Sequence, residues 1–376
     1  MLPRIPPIGF LAPFAVAVIA GSGAPAWSDD ASADPAAVAN ALVEHYVLPG
    51  HRALAEATAA FETAAADFCR SPGESGLAAT QSAFHAAADA WLAVEPLHFG
   101  PMELLMRSPR MYFWPDPTGR VAQDVAEFVA EGDATVLAEN RFQAAPVSLQ
   151  GLPAAEVLMF DEASRASLLA GDEAGEIRCA LLQAIAANVR KIGAGLLADW
   201  QSGEQPFTAV IAAPGPENPY FASQEDVTVA FLKAVNHALR LALDTRLKPV
   251  LGPDMASARS ERAEARRSGR SMRNIVAGIE AAQAIYLGAG GKGLDSLAAA
   301  RGTDAKIAPL LRKAFSMTLE TATGIDAPLP RAALDPALRP KLKELATQLQ
   351  ALRQLVGTRL AAALGLSVGF NALDGD

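Results

Sequence analysis

The chain has 376 residues with 41 acidic against 32 basic side chains, a formal net charge of −9. That balance argues against phosphate-backbone binding as the main task, so no nucleic-acid partner is expected. Aromatic residues make up only 6% while Ala and Leu are abundant and β-branched runs are scarce, so helices must carry the core.

Met1 to Ala26 has the layout of a cleaved secretory signal. Arg4 supplies the positive start, Ile8 to Ala20 is an apolar run too short to span a bilayer, and Ala24-Pro25-Ala26 offers small residues at a cleavage point. No cysteine follows the apolar run closely, so the segment does not suit a lipoprotein. Cys69 and Cys179 are the two cysteines, both well inside the mature part. Export makes a bridge between them possible, and a buried pair of free thiols reads the same way in sequence.

The apolar residues Val38, Leu42, Tyr46, Leu54, Phe61 and Phe68 recur at helical spacing from Pro35 to Phe68, with Pro49-Gly50 expected to kink or interrupt the helix. Ser71-Pro72-Gly73 stops it, and a second helix is predicted from Leu77 to Val94, with Phe84, Trp91 and Leu92 facing inward. The stretch from His98 through Arg110 and Trp114-Pro115-Asp116 to Arg120 is aromatic, Pro-rich and basic together, which predicts a packed loop. Helices follow over Val121–Val129, Pro153–Phe160 and about Gly175–Trp200.

Ser202 to Pro219 is a Pro/Gly-rich connection and the candidate boundary between residues 27–203 and 204–376. Beyond it Ser223 with Asp226 forms a capping box for a helix reaching about Leu247, before Pro249. Ser271 is expected to cap a helix through Leu287 that ends at Gly288, and further helices cover Lys306–Thr323 and Pro336–Leu364. Each half thus offers about four helices, enough for an antiparallel up-and-down bundle. The expected fold class is all-α, with two packed antiparallel helical bundles.

The common catalytic signatures are missing. There is no HExxH, no Cys-x-x-Cys and no GxSxG. Gly288-Ala-Gly-Gly-Lys-Gly293 follows a helix and not a strand, so it lacks the context of a dinucleotide site. His85 and Asp89 share a helix face, the spacing of a metal pair or of a plain surface hydrogen bond. Six arginines from Arg259 to Arg273 crowd the start of the 271–287 helix, which suits either an anion site or a solvated basic stretch balanced by Glu261 and Glu264.

Four segments in order along the chain resemble the imelysin-like family: His98-Phe-Gly-Pro with Arg110-Met-Tyr-Phe-Trp114-Pro115-Asp116; Gly151-Leu-Pro-Ala-Ala-Glu156-Val-Leu-Met-Phe160; Arg267-Ser-Gly-Arg270-Ser271; and Gly369-Phe-Asn371-Ala-Leu-Asp374-Gly-Asp376. The family was once catalogued among metallopeptidases and is associated with iron-regulated periplasmic proteins. The resemblance implies two helical bundles whose motif segments converge on a shared cleft. It also implies a periplasmic location. In the family hallmark, Gly-x-His-x-x-Glu, Gly151 and Glu156 fit, but Pro153 stands in the histidine position and has no metal-binding atom.

A helix's early turns carry partial positive charge, so an arginine or an anion suits the neighbourhood of Glu156 better than a cation. The expected cleft therefore comprises Glu156, Trp114, Asp116, Arg110, Arg270, Ser271, Asn371, Asp374 and Asp376, with metal ligands left unidentified. Its partner would be a small anionic or iron-containing ligand such as an iron chelate, held by charge-assisted hydrogen bonds and an aromatic wall. The leading expectation is a non-catalytic binding or accessory protein of iron acquisition. Alternatives are a metal-dependent peptidase using Glu156 and a structural partner of an outer-membrane or periplasmic transport component.

Overall fold

Ala- and Leu-rich periodicity yields helices throughout the computed structural model, which describes residues 34–366, and no strand occurs among those residues. The fold is all-α. Residues 1–26, expected to be a signal, and the closing motif with Asn371, Asp374 and Asp376 lie outside the described residues.

Asp34 caps the first helix, α1 (Pro35–Leu42), by accepting the N–H of Ala36. A wide π turn at Val43–Val47 leads directly into α2 (Leu48–Arg70). Pro49 therefore does not interrupt the helix, and the irregularity expected at Pro49-Gly50 takes the form of this π turn just before it. Proline removes one N–H and crowds the carbonyl four residues back, and a π turn placed just before it opens the room that this requires. The same device recurs at Leu241–Leu247, carrying the chain past Pro249 to Leu251.

Next come α3 (Glu74–Val94), α4 (Arg120–Glu131), α5 (Leu152–Phe160), α6 (Glu162–Ala170) and α7 (Glu173–Gln201). The second half contains α8 (Gln224–Arg240), α9 (Ser271–Leu287), α10 (Leu294–Arg301), α11 (Ile307–Thr323) and α12 (Arg339–Leu355). Helices α6 and α10 were not anticipated from the sequence, and the 202–219 connection contains a short helix at Phe207–Ala212.

Helix α2 packs against both α3 and α7. Gly193 of α7 allows the close approach: a Cβ there would stand 2.7 Å from the hydroxyl of Thr58 on α2. Cys69 at the end of α2 and Cys179 on α7 form a disulfide with a Cα–Cα distance of 5.5 Å. In the second half α9 packs on α8 and α11, and α11 on α12, while α9 also lies against α3. One hydrophobic cluster runs through both groups of helices, with Trp91, Trp200, Phe231, Tyr286 and Phe315 fully buried in it.

Candidate functional site

Gly151 sits where the start of α5 meets the backbone of the 107–111 segment. A Cβ at this position would lie 2.4 Å from the carbonyl oxygen of Met111, so any side chain would push the two segments apart. Pro153 follows in the first turn of α5, where its missing N–H is not needed. One turn on, Glu156 is buried, and its Oε1 accepts two hydrogen bonds from Ser268: one from the backbone N–H and one from the hydroxyl, each 2.8 Å. Burial pushes the Glu156 carboxyl above the ordinary carboxylate range, and the Ser268 donors and the nearby Arg267 partly offset that.

Ser268 belongs to a closed turn. Ala265 adopts a φ of 47° and Gly269 one of 73°, and the carbonyl of Ala265 accepts the N–H of Arg270. Ser271 is the first residue of α9 but does not cap it, contrary to expectation: its hydroxyl donates 2.5 Å to the carbonyl of Glu264 and so closes the same turn. Arg270 reaches across to α3, placing one nitrogen 2.5 Å from Asp89 and another 3.3 Å from His85 Nδ1. Arg273 also binds Asp89, and Arg267 faces Asp161. Three arginines of the basic stretch are thereby matched to carboxylates.

Beneath the turn lies a buried ionic group that sequence reading did not find. Arg246, from the π turn after α8, donates 2.7 Å to Glu264 and 2.7 Å to Glu95. Asn274 of α9 donates to Glu264 and to the hydroxyl of Tyr112, at 2.9 and 3.1 Å. Burial raises the Glu95 carboxyl, which Arg246 partly counteracts, while the two glutamates hold the Arg246 guanidinium strongly protonated despite its burial. The Tyr112 hydroxyl is pushed well above its usual range by burial and then by Glu264 and Glu156. These residues come from separate elements, so no spacing in the sequence marks them as a set. Glu264 had read as a surface counter-charge.

The remaining expected residues stand elsewhere. Arg110 donates to the side-chain oxygens of Gln150 (2.7 Å) and Asn188 (2.8 Å), and no hydrogen bond or ion pair joins it to Glu156 or Arg270. Asp116 accepts the N–H groups of Arg120 and Val121 at 2.7 and 3.0 Å and so secures the start of α4. Trp114 is partly buried, with its indole N–H unpartnered among the described residues. Glu156, Arg270 and Ser271 are thus brought together through one turn. Arg110 and Asp116 serve other local networks.

Residues 47–356, most of the chain, match the model of the imelysin family. The chain belongs to that family. An imelysin-like protein from Psychrobacter arcticum 273-4 is similar in structure, with a TM-score of 0.71 at 19% identity over 90% of this chain and 98% of that one. A putative iron-regulated protein A precursor from Parabacteroides distasonis ATCC 8503 also gives a TM-score of 0.71, at 16% identity over 86% of this chain and 94% of that one. At such identities these structures share the fold. No curated protein matches the chain.

The old peptidase label of the imelysins implies a resident metal, and the residues described here do not suit one. Pro153 replaces the hallmark histidine, one oxygen of Glu156 already accepts two donors, and both His85 and Asp89 face a guanidinium. No group of three or more His, Cys, Asp or Glu side chains among the described residues is placed to hold a metal ion.

Proposed function

We propose that this imelysin-family protein is a non-catalytic periplasmic binding or accessory protein with a role in iron acquisition, exported through the 1–26 segment and presenting a ligand cleft between its two halves. The observation that carries the reading is the state of Glu156. A general base must meet the proton it removes, and a metal ligand must offer a free lone pair in a cluster of donors. Among the described residues Glu156 belongs to no such cluster, and its Oε1 is already taken by the two Ser268 donors. It is buried, and it pins the 264–271 turn against α5 through Ser268. Its part in this reading is to hold Arg270 and the basic turn in place.

Family membership and the similar iron-regulated protein A precursor support the iron-related role. The ligand suited to such a protein is an anionic iron chelate, and a transport component of the cell envelope is the natural recipient. No helix among the described residues is long and apolar enough to cross a membrane.

Purified protein assayed for casein cleavage and for binding of ferric citrate tests this. The expected result is chelate binding without proteolysis. Cleavage abolished by Glu156→Ala would replace the reading with a peptidase. Co-purification with a transporter and no binding of any iron species would replace it with a purely structural partner.

A further inference from the structure

A cavity of about 580 Å³, with Glu156 not among its lining, runs along one face of α8 and is also walled by the His98–Glu103 segment and by Tyr220 and Phe221. Its size is that of a site for a small organic molecule. Lys233, His237 and Arg240 follow one another at helical spacings of four and three, so they line one stripe of the cavity. Neither Lys233 nor Arg240 has an ion-pair partner among the described residues, unlike the matched arginines of the basic turn. Between them Asn236 is 6% exposed, lines the cavity and makes no hydrogen bond among the described residues. Its amide therefore offers a donor and an acceptor to whatever enters the cavity.

The rest of the wall narrows the chemistry. Phe99, Tyr220 and Phe221 supply flat apolar surface. The rings of His98 and His237 meet edge to face at 5.3 Å. Burial, then Arg240 and His98, push His237 down to about 3, so its imidazole is neutral at pH 7 and can both donate and accept. Two carboxylates complete the lining. Asp226 is bonded to Ser223 at the far end of α8, two turns before Lys233. Glu103, from the His98–Glu103 segment, has no partner among the described residues, which disfavours a polyanion and favours a donor group on the ligand.

We propose that this cavity binds a planar organic monoacid bearing a hydroxyl donor, with its carboxylate toward Lys233 and Arg240, its hydrogen-bonding edge on Asn236 and its ring against Phe99 and Tyr220. This site is additional to the cleft of the binding reading above and stands apart from the Glu156 turn.

The probe is 3-hydroxy-2-naphthoate, followed by its fluorescence and by equilibrium dialysis against the full mature chain, with the neutral 3-hydroxy-2-naphthamide as control. The expected result is saturable binding at one site. Lys233→Gln and Arg240→Gln should each weaken the acid about tenfold, the loss of one charge-assisted hydrogen bond, and barely change the amide. Asn236→Ala should weaken both ligands, and Glu156→Gln neither. Lys233 and Arg240 are exposed, so these variants should keep the wild-type melting temperature. Absence of saturable binding by the acid, or equal affinity of wild type and both charge variants, would overturn the assignment. Because proteolysis and ferric citrate binding are read separately, failure here leaves the proposed function standing, and the reverse holds too.

Discussion

Ser268 donates both its backbone N–H and its hydroxyl to one oxygen of Glu156, each at 2.8 Å, across 112 residues of sequence. The pair fastens the turn before α9 to α5, and through Arg270 the same turn is fastened to α3. Three helices from both halves of the chain therefore depend on one short segment.

The Glu156 carboxyl is raised above its ordinary value of 4.5, with burial the largest cause. Between that value and the raised one, the folded state binds more protons than the unfolded, so this group's contribution is fully present at low pH and is lost as pH rises. Glu156→Gln keeps an acceptor for Ser268 without the ionisation. Its melting temperature relative to wild type is expected to rise as the pH increases above 4.5 and to level off once the pH passes the raised folded-state value. Glu156→Ala strands both donors and is expected to cost about 2–4 kcal/mol in urea unfolding.

Arg246 neutralises two glutamates, the buried Glu264 and the half-buried Glu95. Arg246→Met leaves both facing an apolar side chain, an expected loss of about 3–5 kcal/mol at pH 7. Adding Glu264→Gln to that variant is expected to restore part of it. Lowering the pH to 4.5 should also help, because Glu95 is already raised toward protonation. Urea midpoints at the two pH values check both statements.

The Cys69–Cys179 disulfide closes a separation of 110 residues and joins α2 to α7. Long loops gain most from closure because the unfolded chain loses most freedom. Replacing both cysteines by serine is expected to cost about 2–4 kcal/mol. Reductant should lower the wild-type denaturation midpoint and leave that of the double variant unchanged.

Asp116 accepts the first two N–H groups of α4 and makes no hydrogen bond or ion pair to another expected cleft residue among the described residues. Asp116→Ala is expected to lower stability by about 1 kcal/mol, with Asp116→Asn recovering part of that. Neither should alter binding of 3-hydroxy-2-naphthoate or of ferric citrate. A binding defect without a stability defect would return Asp116 to the ligand site.

Helices and their ends were readable in the sequence because they rest on local physics. Apolar spacing of three and four residues, Ser223 with Asp226, and the stops at Ser71 and Gly288 act within one or two turns. Proline was legible only in part. Pro49 and Pro249 are local helix breakers, but the packing of the flanking residues, Val47, Leu54, Leu247 and Val250 among them, keeps the chain helical through an adjacent π turn.

The motif segments at Gly151–Glu156 and Arg267–Ser271 also stood out in the sequence, and their convergence could be expected from the family resemblance. Which side chain completes the contact could not. Ser268 and not Ser271 meets Glu156, because Ala265 and Gly269 take left-handed conformations that turn Ser271 back onto Glu264. The Arg246–Glu95–Glu264 group and the Lys233–Asn236–Arg240 cavity left no mark in the linear pattern. Charges separated by up to 169 residues become neighbours only once the chain has folded, and their meaning depends on burial: water screens a lone surface glutamate, whereas a buried one must find an arginine.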